Sequence, residues 1–177
     1  MDFSSIKEGV ISYFSMLYKD PPSNQIIDQL KVLKNLPSIF NEEEGLMVGR
    51  DISLEEVDNT LKSFSRYKSP GPDGWPVELY MFFFSMLGNE MLATINETRI
   101  SGCIPAELNK TYLTLIPKVD RPLSFGDYRP IALCNILYKI ITKIIAGRLQ
   151  AGTGTFIYAE QFDFLPGRQI SDAVGIV

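Results

Sequence analysis

The apolar and polar positions of the chain follow a mostly helical pattern. Apolar residues recur every three or four positions within residues 3–18, 53–66 and 136–150. This spacing places them on one face of each stretch, which predicts three amphipathic helices. Shorter helices are predicted for residues 25–34 and for residues 170–177.

A further helix, rich in Phe and Met, is predicted for residues 76–99. Pro76 suits the first position of a helix, because proline has no N–H to lose there. Gly88 marks a bend within the helix, and Gly102 with Pro105 ends it. The chain is therefore predicted to hold a long apolar helix between two loop regions.

Composition marks the boundaries between these helices. Ser53 and Glu56 match a capping box, in which two side chains bond the free amide groups at the start of a helix. Residues 68–75, KSPGPDGW, hold two Pro and two Gly, which neither a helix nor a central strand tolerates. The acidic stretch at residues 41–51 is predicted to be a solvated loop.

Two strands are predicted on either side of a turn-rich interval. They are TYLTLIP, residues 111–117, and RPIAL, residues 129–133. Their composition and spacing predict an antiparallel hairpin. The fold class that follows is α+β, mainly helical, with one short antiparallel hairpin.

The net charge of −4 is distributed unevenly. Residues 1–60 carry five basic and eleven acidic side chains, whereas residues 61–150 carry eleven basic and seven acidic ones. The acidic total argues against a general nucleic-acid-binding protein, because phosphate partners favour basic surfaces. The basic middle segment keeps a local phosphate-binding role open.

The residue types present exclude several kinds of site. There is no histidine, and the two cysteines, Cys103 and Cys134, have no CxxC spacing, so neither a zinc site nor a histidine-based triad is expected. No adjacent pair of aspartates, Walker loop or G-x-G-x-x-G motif occurs. With no secretory signal and no membrane-spanning apolar run, we expect an intracellular protein, nuclear or cytoplasmic, without a membrane partner.

Two stretches in the middle of the chain are candidate phosphate-binding sites, each with a structural alternative. SPGPDG, residues 69–74, is either a connector between helices or a loop whose backbone amides, with Lys68, approach a phosphate backbone. Lys118 and Arg129 are either exposed hairpin charges offset by nearby aspartates or a cationic clamp for a polyphosphate.

A third candidate is QFDFLPGRQ, residues 161–169. It is either a turn before a helix or a nucleic-acid contact in which Arg168 follows a flexible Gly167. The residues alone do not decide between the two interpretations.

Four blocks in a fixed order carry a family resemblance. They are SPGPDG, SGCIPAELNKTYLTLIPK, DYRPIALCNILYKIITKIIAGRL and EQFDFLPGRQISDA. Together they closely resemble the reverse transcriptases of LINE-type, non-LTR retrotransposons, most of all those of flowering plants. The similarity covers nearly the whole chain and is strongest in residues 68–150 and 160–175.

The resemblance implies part of a right-hand polymerase, with residues 1–66 as a helical N-terminal extension and residues 67–177 as the fingers region. In that family the lysine and arginine of the fingers hairpin contact the triphosphate of the incoming nucleotide, which implies this role for Lys118 and Arg129. The first and last blocks lie along the template. They imply nucleic-acid contacts by Lys68, Ser69, Gly71, Asp73, Gly74, Gln161, Gly167 and Arg168.

The family's catalytic aspartates lie downstream of the Gly-Arg block and do not occur in these 177 residues. We therefore expect a fragment with no catalytic or metal-binding residue and no cofactor, inactive alone, although Mg²⁺ is expected for the full-length family enzyme. The partners implied are an RNA template, a DNA primer and a deoxynucleoside triphosphate. The alternatives are a residual nucleic-acid-binding module and a helical interaction domain without a nucleic-acid role.

Overall fold

The computed structural model of the chain describes residues 3–19, 31 and 40–153. In chain order its elements are α1 (Phe3–Leu17), α2 (Glu42–Gly49), α3 (Leu54–Lys62), α4 (Val77–Phe82), α5 (Phe84–Ser101), β1 (Thr111–Pro117), a 3-10 turn (Phe125–Asp127), β2 (Tyr128–Cys134) and α6 (Ile136–Thr153). The two strands form one antiparallel sheet, and the rest is mainly helical.

The helices predicted for residues 3–18, 53–66 and 136–150 are present, with ends shifted by up to four residues, and so is the predicted hairpin. The helices predicted for residues 25–34 and 170–177 lie outside the described residues, apart from Lys31. The assignment of this arrangement to a polymerase stays a prediction.

The chain divides into two compact units. The hairpin unit comprises Met1–Ser38 and Thr114–Ile131, and the helical unit comprises Ile39–Leu113 and Ala132–Val177. The helical unit thus contains residues from both sides of position 66. The domain division predicted at that position stays a prediction.

Within the hairpin unit, α1 packs against the 3-10 turn through aromatic side chains. The rings of Tyr13 and Phe125 lie 5.7 Å apart, and Phe14, which is buried, lies edge-on to Tyr13 at 5.1 Å. A Cβ on Gly9 would come within 3.1 Å of the Phe125 ring. The ring therefore lies close to the backbone of α1.

The core of the helical unit forms where α3, α4, α5 and α6 pack together. Val57 and Leu61 of α3, Ile95 of α5 and Ile140 of α6 are at most 1% exposed. Burying side chains of this size contributes about 1.5–3 kcal/mol each. The full cluster consists of Ile52, Val57, Leu61, Val77, Tyr80, Met91, Ile95, Ile136, Ile140, Ile141 and Ile144.

The prediction of a solvated loop at residues 41–51 is wrong, because α2 lies there. Asn41 Oδ1 accepts a hydrogen bond from Glu44 N at 2.8 Å, and Glu44 Oε2 accepts one from Asn41 N at 3.0 Å. This capping box and three acidic side chains in the first turn favour the start of a helix. No residue of α2 is buried, so apolar periodicity gave no signal.

The Phe-rich and Met-rich stretch is divided at Phe83 into two helices, so the prediction of one helix over residues 76–99 is wrong, while the bend at Gly88 stays a prediction. Phe83 ends α4 and precedes α5, with φ −97° and ψ 15°. Gly88 lies inside α5, where a Cβ would come within 3.1 Å of Leu54 Cδ1 on α3. It therefore allows close packing of the two helices.

Gly102, in a left-handed conformation, ends α5 as predicted.

The capping box predicted at the start of α3 is half formed. Ser53 Oγ accepts a hydrogen bond from Glu56 N at 3.2 Å. The Glu56 carboxylate binds the guanidinium of Arg148 on α6, through Oε1 at 2.8 Å and Oε2 at 2.7 Å. A bidentate pair of this kind is among the strongest charge-assisted hydrogen bonds.

Arg148 uses all five of its N–H donors. Besides the two bonds to Glu56, Nη1 donates to the carbonyls of Val48 at 3.0 Å and Arg50 at 2.5 Å, and Nη2 donates to the carbonyl of Asp51 at 3.1 Å. The side chain is 10% exposed. Arg148 therefore joins α6 to α3 and to the C-terminal end of α2.

Replacing Arg148 with alanine should lower the free energy of unfolding by about 2–4 kcal/mol, because it leaves a half-buried carboxylate and three carbonyls without their donor. Arg148→Lys should recover less than half, since an ammonium cannot reproduce the planar fork. Urea denaturation measures both. Lys62→Gln, which removes an exposed ion pair with Asp58, is the control and should change stability by less than about 0.5 kcal/mol.

The Glu56–Arg148 pair should also make stability depend on pH. The hydrogen bond from Arg148 lowers the pKa of Glu56 below its ordinary value of 4.5. The stabilisation is therefore complete above pH 4.5 and is lost as the pH falls through the lowered pKa. Denaturation curves below pH 5 should show a decline in wild type that is smaller in Glu56→Gln. Equal declines in the two proteins would contradict the assignment.

Candidate functional site

The register of the hairpin decides which side chains share a face. Lys118 N donates to the Asp127 carbonyl at 2.7 Å, which places these two residues opposite each other at the turn. At the other end, Thr111 Oγ1 donates to Cys134 Sγ at 3.2 Å, in the same register. Directly opposed residues of an antiparallel pair lie on one face.

This register places Arg129 opposite Ile116, two residues before Lys118. Lys118 and Arg129 therefore lie on the same face of the hairpin, as diagonal neighbours. Ile116 is 47% exposed and Ile131, on the same face, is 40% exposed. Both cations are exposed, and Asp127 lies on the same face opposite Lys118, so the face presents two positive charges and one negative charge on a partly apolar surface.

Lys118 is engaged by its own turn. Its Nζ donates to the Gly126 carbonyl at 2.8 Å, and its charge contributes to a lowered pKa of Asp127. The larger causes of that lowered pKa are the hydrogen bonds that Asp127 Oδ2 accepts from Ser124 N at 2.8 Å and Leu123 N at 2.9 Å. Lys118 is thus held by a hydrogen bond within its own turn, and its predicted role stays a prediction.

Arg129 differs from Lys118 in this respect. Within the part of the chain that the structure describes, its guanidinium has neither an ion pair nor a hydrogen bond. Asp120 and Asp127 do not pair with it. Of the two predicted clamp residues, Arg129 is the one whose charge is fully available to a ligand.

The SPGPDG loop lies in the helical unit and uses its backbone amides internally. Asp73 N donates to Asn135 Oδ1 at 3.2 Å, Gly74 N donates to the Gly71 carbonyl at 3.0 Å, and Trp75 N donates to Asp73 Oδ1 at 3.0 Å. These amides are therefore not free to bind a phosphate. The geometry gives Gly71, Asp73 and Gly74 a role in the connector, and their predicted nucleic-acid contacts stay predictions.

Gly71 and Asn135 form the tightest contact of this loop. Gly71 is buried, and a Cβ there would lie 2.4 Å from Asn135 N and from Asn135 Oδ1. Asn135 is itself 2% exposed, and its Nδ2 donates to the carbonyls of Glu107 at 3.1 Å and Leu108 at 3.3 Å. One buried amide thus joins the SPGPDG loop to the segment before β1.

The remaining predicted contact residues fall into two groups. Lys68 and Ser69 are exposed at the start of the loop, where a ligand can reach them. Gln161, Gly167 and Arg168 lie outside the described residues. Between residues 40 and 153, and at the other described positions, no group of three or more acidic or cysteine side chains is placed to hold a metal ion.

Sequence reasoning missed the roles of Arg148 and Asn135. Arg148 lies one helical turn after Ile144, on the buried stripe of α6, and a charged residue at such a position signals a buried partner. Asn135 lies directly before α6. Its carbonyl does accept a hydrogen bond from Lys139 N at 3.1 Å, but its side chain binds other segments, which no local pattern reveals.

The chain is similar to two retrotransposon proteins. It is 29% identical over 177 residues to the Transposon TX1 uncharacterized 149 kDa protein of Xenopus laevis, which covers 99% of this chain and 13% of that protein. It is 29% identical over 126 residues to the Retrovirus-related Pol polyprotein from type-1 retrotransposable element R1 of Bradysia coprophila, which covers 70% of this chain and 12% of that protein. No protein-family model matches the chain.

These similarities support a retrotransposon-derived chain, related to proteins of non-LTR elements. The chain spans about an eighth of the length of both relatives. The assignment to a plant-like LINE element stays a prediction. None of the described helices has the length and apolar character needed to cross a membrane.

Gly71→Ala should destabilise the helical unit strongly, by about 2 kcal/mol or more, because the new methyl group meets backbone atoms that cannot move aside. Thermal unfolding followed by circular dichroism measures the change. Gly45→Ala is the matched control: it lies within α2 with no atom within 4 Å of the added Cβ, so it should stabilise by up to about 1 kcal/mol. Equal effects of the two substitutions would refute the close contact with Asn135.

Proposed function

We propose that this chain forms part of a retrotransposon reverse transcriptase, an RNA-directed DNA polymerase, in which the hairpin contacts the triphosphate of the incoming nucleotide. The observation that carries the proposal is the exposed guanidinium of Arg129, which has no partner among the described residues and lies on the same hairpin face as Lys118. The similarity to a Pol polyprotein supports it.

The chemistry of the two side chains suits a triphosphate. Arg129 offers a planar fork that can bind two phosphate oxygens at once, and Lys118 offers a mobile point charge. Lys118 must release the Gly126 carbonyl to reach a ligand. A bond between the ammonium and a phosphate, in which both partners are charged, is stronger than the ammonium–carbonyl bond it replaces. Arg129 is accordingly the main contact and Lys118 the secondary one.

The chemical step belongs to other parts of such a polymerase. Nucleotide transfer uses divalent cations held by closely placed carboxylates, and the described residues hold no such cluster. The chain therefore contributes binding and positioning, and the RNA template, the DNA primer and Mg²⁺ are partners of the longer polymerase. We propose this separation between nucleotide binding by the hairpin and the chemical step elsewhere in the polymerase.

A protein consisting of these 177 residues alone should not extend a primer on an RNA or DNA template with Mg²⁺ or Mn²⁺. The reason is that the family's catalytic aspartates do not occur in the sequence and that the described residues hold no carboxylate cluster to place two cations for in-line displacement. Extension of a labelled primer, resolved on a denaturing gel, measures the activity. Extension that purifies with the protein and resists removal of contaminating polymerase would contradict the proposal.

The nucleotide contact is tested in a chimera that joins residues 1–177 to the downstream part of an active retrotransposon polymerase. Arg129→Ala should lower kcat/KM for the nucleotide by at least about tenfold, mostly through KM, because the triphosphate loses a bidentate contact. Arg129→Lys should recover only part of this loss. Lys118→Ala should act in the same direction but less strongly, since its ammonium is shared with the turn.

Arg121→Ala is the matched control for charge. Arg121 is exposed in the turn between the strands, so its removal takes away the same charge from the same hairpin without altering the predicted contact face. Its kcat/KM should stay within about twofold of the parent chimera. An active chimera that responds equally to Arg121→Ala and Arg129→Ala would leave Arg129 as a solvated charge and would overturn the proposal.

A further inference from the structure

The turn of the hairpin packs against α1 through one aromatic ring. Phe125, the first residue of the 3-10 turn, lies with its ring 5.7 Å from the ring of Tyr13, and a Cβ on Gly9 would come within 3.1 Å of Phe125 Cζ. The next residue, Gly126, is also close to α1, because a Cβ there would lie 3.5 Å from Tyr13 Oη. The helix therefore contacts two consecutive residues of the turn.

The strands of the hairpin contribute little to holding the turn in place. No residue of β1 or β2 is buried, and a two-stranded sheet by itself is only marginally stable in water. Beside the Phe125 contact, a pocket of about 840 Å³ lies between residues of α1 such as Ile6 and residues of the turn such as Leu123. The neighbouring side chains therefore do not duplicate the contact that the Phe125 ring makes.

The same turn holds Lys118 at two points. Lys118 N donates to the Asp127 carbonyl at 2.7 Å, and Lys118 Nζ donates to the Gly126 carbonyl at 2.8 Å. These carbonyls belong to the two residues that follow Phe125. Within the turn, Asp127 Oδ2 accepts a hydrogen bond from Ser124 N at 2.8 Å, which keeps its residues together. A displacement of the Phe125 ring would therefore be transmitted to both groups of Lys118.

We propose that α1 positions Lys118 for the nucleotide triphosphate, with Phe125 as the positioning residue that joins them. The inference rests on the proposed function, in which Lys118 binds phosphate. Fixing the turn fixes where the Lys118 side chain begins and where its ammonium rests before the ligand arrives. A side chain that starts from one position loses less rotamer freedom on binding than one that starts from many, so the contact with α1 favours nucleotide binding.

The nucleotide kinetics of the chimera that joins residues 1–177 to the downstream part of an active polymerase test this assignment. Phe125→Ala should raise the nucleotide KM about threefold and leave kcat within about twofold of the parent value. The rise should not exceed that caused by Lys118→Ala, because a positioning residue acts only through the group that it positions. Phe125→Leu, which keeps an apolar contact with α1, should recover most of the loss. An effect confined to kcat would overturn the proposal.

A double-mutant cycle shows whether Phe125 acts through Lys118. In a chimera that already carries Lys118→Ala, the further change Phe125→Ala should alter KM by less than about 1.5-fold, since no ammonium remains to be positioned. If Phe125→Ala raises KM by the same factor with and without Lys118, the ring supports the hairpin in general. That result would overturn the proposal.

Gly9→Ala changes the same contact from the side of α1 and separates positioning from stability. Alanine favours a helix more than glycine does, so the melting temperature of the chimera should stay the same or rise. The added methyl group meets the far end of the Phe125 ring and displaces it slightly, so KM should rise about twofold. A KM that rises only in variants that also melt earlier would give Phe125 a purely structural role and contradict the proposal.

Leu123→Ala is the matched control for the loss of an apolar side chain from the turn. Leu123 lies two residues before Phe125 and is 96% exposed, and its backbone N–H, which bonds Asp127 Oδ2, is kept in the variant. Its KM should stay within about 1.5-fold of the parent chimera. Equal rises in Leu123→Ala and Phe125→Ala would show that any change in the turn has this effect, and the positioning role of Phe125 would be refuted.

Failure of this inference is distinguishable from failure of the proposed function. If Arg129→Ala and Lys118→Ala raise KM but Phe125→Ala does not, the nucleotide contact stands and only the role of α1 is refuted. If neither Arg129→Ala nor Lys118→Ala raises KM in an active chimera, the proposed function fails and the present inference fails with it.

Discussion

The helical unit depends on one buried amide, that of Asn135. The side chain lies where β2 passes into α6 and satisfies three backbone groups, one in the SPGPDG loop and two in the segment before β1. A buried backbone group without a partner lowers stability by about 1–3 kcal/mol. Separating these segments from the start of α6 would therefore reduce the free energy of unfolding. The position of α6 in turn decides where Arg148 meets α2 and α3, and where Lys139 and Lys143 lie.

The sequence allowed the local features of the fold to be predicted, because their causes are local. The Ile stripe of α6 and the composition of the two strands indicated the elements, and the turn-rich interval between the strands indicated that Lys118 and Arg129 lie near each other. The start of α2 depends on the reciprocal bonds of Asn41 and Glu44, which are also local but were outweighed by the acidic composition of that stretch. There the signal was present and was misinterpreted.

The remaining features depend on contacts between distant residues, which one sequence does not reveal. The sequence alone does not distinguish the three cations of α6, which are Lys139, Lys143 and Arg148. In the structure Arg148 is enclosed by a carboxylate and by carbonyls about a hundred residues earlier in the chain. The two lysines instead line a pocket together with Lys68. A buried cation such as Arg148 has a structural role, whereas a cation that solvent reaches can bind a ligand. The same distinction separates Gly71, which is needed for space, from Gly74, which is needed for its positive φ of 73°.

The register of the hairpin also explains why a proline stands beside each of its two cations. Since the Lys118 amide points toward the partner strand, the positions one residue away on each strand, Pro117 and Pro130, are those whose amides would point outward. A two-stranded sheet consists of two open edges, and an edge with free N–H groups is a template for another strand. Each proline removes one such donor. Each edge of the hairpin therefore offers one N–H fewer for pairing with the strand of a neighbouring chain.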